Sequence, residues 1–427
     1  MRVLVLGSGA REHVLAWKLA AERGVSQVVC APGNAGIARV ARCVPLDLTA
    51  PEAVFALADR ERVDLTVVGP EVPLARGMYD FFAARGRLLF GPSRVAAQLE
   101  ASKAFAKAFM ARHRIPTARF RVADEASEAL DIIRQGEFGF PVVVKADGLA
   151  AGKGVTVAPD RKAAEAAVRG AMVERRFGNS GSRIVIEECL RGEEVSFFAI
   201  CDGHRALSLP SAQDHKRVFD NDEGPNTGGM GAFAPTPLMT PWLDERVRRE
   251  IVEPVLAGLQ AEGHDYRGVL YAGLMVTESG PKVIEFNVRF GDPEAQVVLP
   301  ILVEELAPVL HAAAAGNLGD WRCPINNDPH VGVVMASGGY PGSYDTGVPI
   351  DGIERAEALP GVLVFHAGTS IDHGRLVTAG GRVLTVVGRG RDFSEAIERA
   401  YRGVGCISFR GRHFRTDIGR KALRVAP

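Results

Sequence analysis

PVVVKADGLAAGKGVTVA, residues 141–158, comes close to a nucleotide-binding P-loop and departs from it in two places. The P-loop spelling is G-x-x-x-x-G-K-[ST], a Gly-rich turn that opens a helix. Here three residues, not four, separate Gly148 from Gly152–Lys153, and Gly154 stands where a hydroxyl should face magnesium. The following VTVA is a β-type run, not the first turn of a helix. The stretch reads as strand, Gly-rich loop, strand: a flap in an antiparallel sheet.

Side chains alternate along the first of these strands, so Val142 and Val144 share one face and Val143 and Lys145 the other. Lys145 closes an apolar run, where an unpaired ammonium is costly to desolvate; it either reaches water or meets an anion. In loop 148–154, Gly148, Gly152 and Gly154 surround Lys153. Such a loop can lay backbone N–H groups on phosphates while the lysine adds a point charge. It can equally be a plain hairpin. Downstream, IVIEECLRGEEVSF places Glu187 and Glu188 after an apolar strand, with Glu194 seven residues beyond Glu187. An edge chain there can hydrogen-bond adenine through its backbone, with Glu194 on ribose hydroxyls, or it is an ordinary solvated turn.

The strongest signal is KVIEFNVRFGDPE, residues 282–294. Alternation puts Ile284, Phe286, Val288 and Phe290 on one face and Val283, Glu285, Asn287 and Arg289 on the other. Carboxylate and amide oxygens at i and i+2 suit Mg²⁺, which shares its shell with phosphates. Arg289 beside them can clamp a carboxylate or phosphate with both arms. The plainer alternative is an amphipathic strand with a wet face. SAQDHKRVFDNDEGPNTGGMGAF, from residue 211, reads as a long polar loop carrying Asp214, Lys216 and Arg217, with NTGGMG free to cradle an anion. His215 reads as a surface or packing histidine, since no nucleophile or metal-ligand spacing surrounds it.

Upstream, RVLVL, QVVCAPGN, DLTVVGPE and LLFGPS are apolar runs ending in Gly/Pro turns, with helical spacing between them. That alternation predicts a doubly wound parallel sheet, with GSGARE, APGNAG and GPEVPL at its carboxyl edge. Gly7, Gly9 and Glu12 spell G-x-G-x-x-E, and no acid ends the second strand, so a nicotinamide site is not indicated. A phosphate at the helix N-terminus or a tight turn both remain open. A helix is expected to start near Ser102, with Lys103 in its first turn. The fold class is α/β and α+β, in several domains: a doubly wound N-terminal domain over 1–101, a lobe carrying the flap over 102–190, a lobe carrying the polar strand over 191–325, and a small β-rich α+β domain over 326–427.

A chain of 427 residues with 47% hydrophobic content sustains domains of this size without staples. Lys plus Arg number 51, as do Asp plus Glu, which gives no electrostatic case for nucleic acid or an anionic membrane. The six cysteines include no C-x-x-C pair, so reduced thiols are expected. The start MRVLVLGSGA runs straight into a strand and turn, without the apolar core of a signal peptide. Glu304 and Glu305 interrupt the nearest approach to a membrane span. A cytoplasmic location follows as an expectation.

Together these stretches resemble the ATP-grasp superfamily and, within it, the phosphoribosylamine–glycine ligase family. The resemblance runs from GSGAREHVLAWKL through LEASKAF, KADGLAAGKGV, IVIEECLRGEEVSF, VIEFNVRFGDPE and GVVMASGGYPG to GGRVL, in family order over nearly the whole chain. QDHKR followed by GPNTGGMGA is the family-specific part. The resemblance implies ATP-grasp lobes and ligation of glycine to 5-phosphoribosylamine through a glycyl phosphate. It implies that Glu285 and Asn287 hold Mg²⁺ (or Mn²⁺). Lys103, Lys145 and Lys153, with Gly152 and Gly154, would meet the ATP phosphates. The segment Glu187, Glu188 and Leu190 would bind adenine through its backbone, and Glu194 ribose. Asp214, Lys216 and Arg289, with Asn226, Thr227, Gly228, Gly229 and Met230, would hold glycine and the acyl phosphate. Gly9, Arg11 and Asn34 are candidates for the ribose 5-phosphate.

Many superfamily members carry a second metal carboxylate twelve residues before the main one, where this chain has Gly273. A monomer or weak homodimer with small-molecule partners is expected. The rival readings are another ATP-grasp ligase or carboxylase, a nucleotide sensor with a dead site, and a nicotinamide dehydrogenase.

Overall fold

The structure is a computed structural model that describes residues 1–149 and 154–424. Gly152 and Lys153, both expected on the flap, lie outside the described residues. The N-terminal sheet has spatial order Arg42–Cys43, Gln27–Pro32, Arg2–Gly7, Leu65–Val68, Leu89–Phe90, all parallel. Its first strand is apolar without alternation because both faces are covered. Val3 and Val5 join Val14 and Leu15 of the helix Ala10–Ala20, while Leu4 and Leu6 join Val54 and Leu57 of Pro51–Arg60.

The second sheet is antiparallel, in the order Phe120–Ala123, Ile184–Glu188, Val142–Ala146, Val155–Ala158. Val142–Ala146 and Val155–Ala158 are the two arms of the flap. The helices Ala126–Gln135 and Arg161–Val168 cover this sheet and close a core of its own, built on Ile132, Val142, Val144, Val168 and Ile186. The third sheet runs Ala206–Ser208, Glu193–Asp202, Arg267–Thr277, Gly280–Asn287, also antiparallel. Unlike the flap sheet, it shares both its cores with the N-terminal sheet. The flap sheet is thus packed independently, while the polar strand sits on a broad rigid base.

The last sheet places Gln213–Asp214, Gly231–Ala234, His330–Ala336, Arg382–Arg389 and Val362–His366 side by side. The helix Phe393–Cys406 packs on it through Ala396, Ala400 and Val404.

The polar stretch read from sequence as a loop is therefore largely strand. Its ends join the C-terminal sheet, and Arg217–Phe219 pairs with Glu223–Asn226 between them. Its polarity misled because short two-residue and four-residue strands carry no apolar period.

Candidate active site

The polar strand does not alternate cleanly. Glu285 faces Gly273 and Val283 faces Leu274, so Ile284 is an extra residue, a β-bulge. Val283 is 0% exposed, in the core with Phe286 and Val288, while Ile284 is only partly buried. The expected faces of Val283 and Ile284 are thus exchanged. Beyond the bulge the expected pattern holds: Glu285, Asn287 and Arg289 stay off the core. Across the sheet Ser196, Gly273 and Glu285 lie in one row, and Phe198, Tyr271 and Asn287 in the next. Gly273 therefore leaves the place beside Glu285 without a carboxylate.

Lys216 reaches this row from the polar stretch. Its Nζ lies 2.9 Å from Glu194 Oε2 and 3.8 Å from Glu285 Oε1. Burial would lower the ammonium's pKa, but Glu194, Asp214 and Glu285 together hold it well above its ordinary value. Burial likewise works against the Glu285 carboxylate, yet Lys216, Lys145, Lys103 and Arg289 keep it below the usual range. Asp214 behaves oppositely. Burial, with Glu294, Glu194 and Glu285 nearby, pushes it up to about 7 against the pull of Lys216. One cluster thus holds an ionised carboxylate and a second one poised near neutrality.

Arg289 is pinned. Its Nη2 lies 2.8 Å from Glu100 Oε1 and donates to Asn287 Oδ1 at 3.0 Å, and its Nε is 3.6 Å from Glu71. Burial alone would lower the guanidinium; Glu100 and Glu71 overcome it and raise it. Glu100 also accepts from the Val288 N–H at 2.8 Å, so it fixes both the backbone and the side chain after the polar strand. Next to this, Glu294 Oε1 accepts from the Tyr271 hydroxyl at 2.7 Å and from the Ser196 hydroxyl at 3.2 Å, all three residues being buried. Glu71, Glu100, Glu294, Ser196 and Tyr271 were missed by sequence reasoning. Glu71, Glu100, Ser196 and Glu294 all sit in the stretches quoted above, but nothing in their spacing ties them to the strand they support.

Two lysines reach the same strand from outside its sheet, one at a helix start and one in the flap sheet. Lys103 follows Ser102, which caps the helix Lys103–Arg112 as expected. Lys103 Nζ donates to Gly148 O at 3.1 Å, and burial lowers its pKa. Asp147 ties the flap root to this helix, accepting from Ser102 Oγ at 2.9 Å and from the Ala104 N–H at 2.7 Å. Gly154 O accepts from the Ala146 N–H at 2.8 Å, closing the described part of the hairpin.

Lys145 settles its sequence alternatives by meeting an anion within the protein. It is 5% exposed, ion-paired to Glu187, and donates to Ile284 O at 3.1 Å. The second oxygen of Glu187 pairs with Lys107, which burial pulls down to about 8. The Glu187 side chain is thus spent on lysines. Glu188 is tied to Arg119, accepting from its Nε at 2.9 Å and giving its own N–H to Arg119 O at 3.0 Å. Leu190 lies just past the end of Ile184–Glu188, half-buried.

Thr227 closes the glycine-rich turn over Lys216, its hydroxyl donating to Lys216 O and accepting from the Gly229 N–H at 2.9 Å. Asn226 is the strand partner of Arg217. Gly228 donates to Tyr340 Oη at 3.0 Å and accepts from Arg382 Nη1 at 2.6 Å. Met230 does not face the cluster: it is 0% exposed and packs with Val218 and Ala336.

The N-terminal candidates have internal partners. The Gly9 N–H goes to Glu12 Oε2, Arg11 Nε lies 2.6 Å from Glu12 Oε1, and Arg11 Nη1 donates to Phe290 O at 3.2 Å. Asn34 donates to Ser8 O and His366 O at 2.8 Å and caps its own turn through Gly36 N and Ile37 N. The Gly9 donor expected for a phosphate is therefore engaged by Glu12. His215 is 1% exposed beside Phe233, a packing residue on the side opposite Asp214 and Lys216.

Among the described residues no group of three or more His, Cys, Asp and Glu has a metal-holding arrangement. Glu285 and Asn287 offer two oxygens of one strand face. That donor set fits magnesium whose remaining ligands are phosphate and water. None of these groups lines the cavity of about 980 Å³ bounded by Leu318, Trp321 and Cys323, so cavity volume and chemistry point to different places. Charge and hydrogen bonding, which converge on the polar strand, carry the assignment.

The comparisons with known proteins agree with this geometry. Residues 1–100 match the N domain of phosphoribosylglycinamide synthetase, residues 101–295 its ATP-grasp (A) domain, and residues 330–421 its C domain. A phosphoribosylamine–glycine ligase of Xylella fastidiosa is 52% identical over 99% of this chain and 98% of its own length. One of Pseudomonas aeruginosa is 50% identical over 99% and 98%. The crystal structure of phosphoribosylamine–glycine ligase from Thermotoga maritima superposes with a TM-score of 0.85 at 35% identity, covering 98% of this chain and 100% of that one. A biotin carboxylase from Campylobacter jejuni shares the fold at a TM-score of 0.74 and 15% identity. With three matched domains in order over most of its length, the chain belongs to the phosphoribosylglycinamide synthetase family.

Proposed function

We propose that this chain joins glycine to 5-phosphoribosylamine with ATP, giving glycinamide ribonucleotide, ADP and phosphate in purine biosynthesis. A carboxylate is a poor acylating agent, so the glycine oxygen first attacks the γ-phosphorus and ADP leaves. The amine nitrogen then attacks the carbonyl carbon of glycyl phosphate, phosphate leaves, and the nitrogen loses a proton. The protein's part is positioning and charge neutralisation. Lys103, at the start of its helix, and Lys145, in the flap sheet, would meet the triphosphate, as would Gly152, Lys153 and Gly154. Glu187 to Leu190 would flank adenine through their backbone and Glu194 the ribose. Lys216, Arg289 and the turn 226–230 hold glycine and the acyl phosphate. Asp214, poised at about 7, suits the proton released by the amine. Glu285 and Asn287 would hold Mg²⁺ or Mn²⁺, which when bound offsets phosphate charge.

The observation that carries this reading is Lys216 meeting Glu194 and Glu285 on the strand face where Asn287 also lies. We read the protein as a cytoplasmic monomer or weak homodimer; no described helix is long and apolar enough to cross a membrane. We also read its domain limits at residues 101, 190 and 325. The test is a coupled assay of ADP release. Release should require glycine and phosphoribosylamine together, and glycine labelled with heavy oxygen in its carboxylate should pass label to phosphate. Release that follows bicarbonate instead, or unlabelled phosphate, overturns the proposal.

A further inference from the structure

The helix Lys103–Arg112 carries a second lysine one turn after Lys103. Lys107 is 2% exposed and enters a buried ring that ends on the polar strand. Its ammonium pairs with Glu187 and donates to Thr117 Oγ1 at 2.8 Å. The Thr117 hydroxyl in turn donates to Val283 O at 2.7 Å. The other partner of Glu187, Lys145, donates to Ile284 O at 3.1 Å. The Val283 N–H donates to Pro116 O at 2.8 Å. The two residues directly before Glu285, which form the bulge, are thus gripped by three bonds from outside their own sheet.

We propose that Lys107 is a positioning residue for the ligation: through Glu187 and Thr117 it holds Lys145 and the Val283–Ile284 bulge so that Lys145 and Glu285 together meet the nucleotide and its cation. This rests on the reading of Lys145 and Glu285 given above. Two physical effects run in the same direction. One carboxylate shared by two ammoniums leaves a net positive charge, so Lys145 keeps attraction for phosphate; with Lys107 gone, Glu187 would neutralise it. A bulge also has an unpaired residue whose backbone settles only if other groups bind it. Chains of hydrogen bonds strengthen one another in a low-dielectric interior.

The test uses the full chain with K107M, K107R and T117V. K107M leaves a neutral Lys145–Glu187 pair, so folding should survive. K107M should raise the KM for MgATP about tenfold or more while the glycine KM stays within about twofold. K107R, which keeps the charge, should recover most of that loss. T117V should shift the MgATP KM in the same direction by about threefold, and it decides the matter if K107M fails to fold. A MgATP KM within about twofold of wild type in the folded variants overturns the proposal. So does a fall in kcat alone, the mark of fewer folded molecules. E285A, run alongside, separates the two readings. If E285A keeps full dependence on magnesium, the site assignment itself fails; if E285A is inactive while K107M is silent, only the role of Lys107 fails.

Discussion

Replacing Arg415 with Met should destabilise the protein by about 3 kcal/mol and loosen the turn 226–230 proposed to hold glycine. The Arg415 side chain is 0% exposed. Its Nε and Nη2 donate to the two oxygens of Asp417 at 2.8 and 2.7 Å, and its Nη1 to Asp222 Oδ1 at 2.9 Å and Arg217 O at 3.1 Å. Removing one partner of a buried pair costs about 3–5 kcal/mol, because the other charge is left without compensation. Asp417, with 16% side-chain exposure, bears most of that penalty. Asp222 is 40% exposed and keeps Lys421 at 2.7 Å, so its share is discounted for water and the remaining pair. That brings the expected loss to the lower end of the range.

The consequence for function follows from what Arg415 holds. Arg217 begins the strand pair leading into Asn226 and Thr227, Asp222 lies in the turn that joins its strands, and the Asn221 N–H of that turn also donates to Asp417 at 2.9 Å. Loosening that pair should raise the glycine KM several-fold with the MgATP KM unchanged. Urea unfolding followed by tryptophan fluorescence is a suitable assay, since Trp17 packs edge-on against Phe365 of the C-terminal sheet at 5.8 Å. The double variant R415M/D417N, which removes the stranded charge, should regain part of the loss. A wild-type midpoint for R415M, or no recovery in the double variant, would refute the reasoning.

Three further outcomes are expected. Glu285→Ala should cut ADP release by about a hundredfold or more while the protein stays folded, because the carboxylate faces four cations and lies outside the apolar core; near-normal turnover is the contrary result. Asp214 has its pKa raised from 3.8 to about 7, so the folded state keeps a proton that the unfolded chain has released. Its contribution to stability therefore falls as pH rises through that window and stays lost above it. Asp214→Asn should gain thermal stability on wild type between about pH 5 and about pH 8, and parallel melting curves would contradict this. Gly229 has φ +110°, and a Cβ there would lie 2.4 Å from Pro293 Cδ. Gly229→Ala should thus cost about 1–3 kcal/mol and raise the glycine KM, as thermal unfolding and steady-state kinetics would show.

Local signals in the chain were enough for the parallel N-terminal sheet, the flap hairpin, the helix start at Ser102 and the residue types of the polar strand. Each is written in consecutive residues as an apolar period, a turn or a cap, and neighbours along the chain settle it. The bulge at Ile284 was not legible, because it is a property of two strands and their register. Nor was the fate of Lys145: whether its ammonium met water or an anion depended on Glu187, forty-two positions away, and on a carbonyl in another sheet. The polar stretch from Ser211 hid its strands because they are too short to show an apolar period, and the one that enters the C-terminal sheet most deeply, Gly231–Ala234, pairs with His330–Ala336 about a hundred residues on. Glu12 took the Gly9 donor that a phosphate was expected to use, a contest between a helix cap and a ligand that spacing does not decide. Burial and long-range pairing assign charges their partners, and these arise only once the chain has folded.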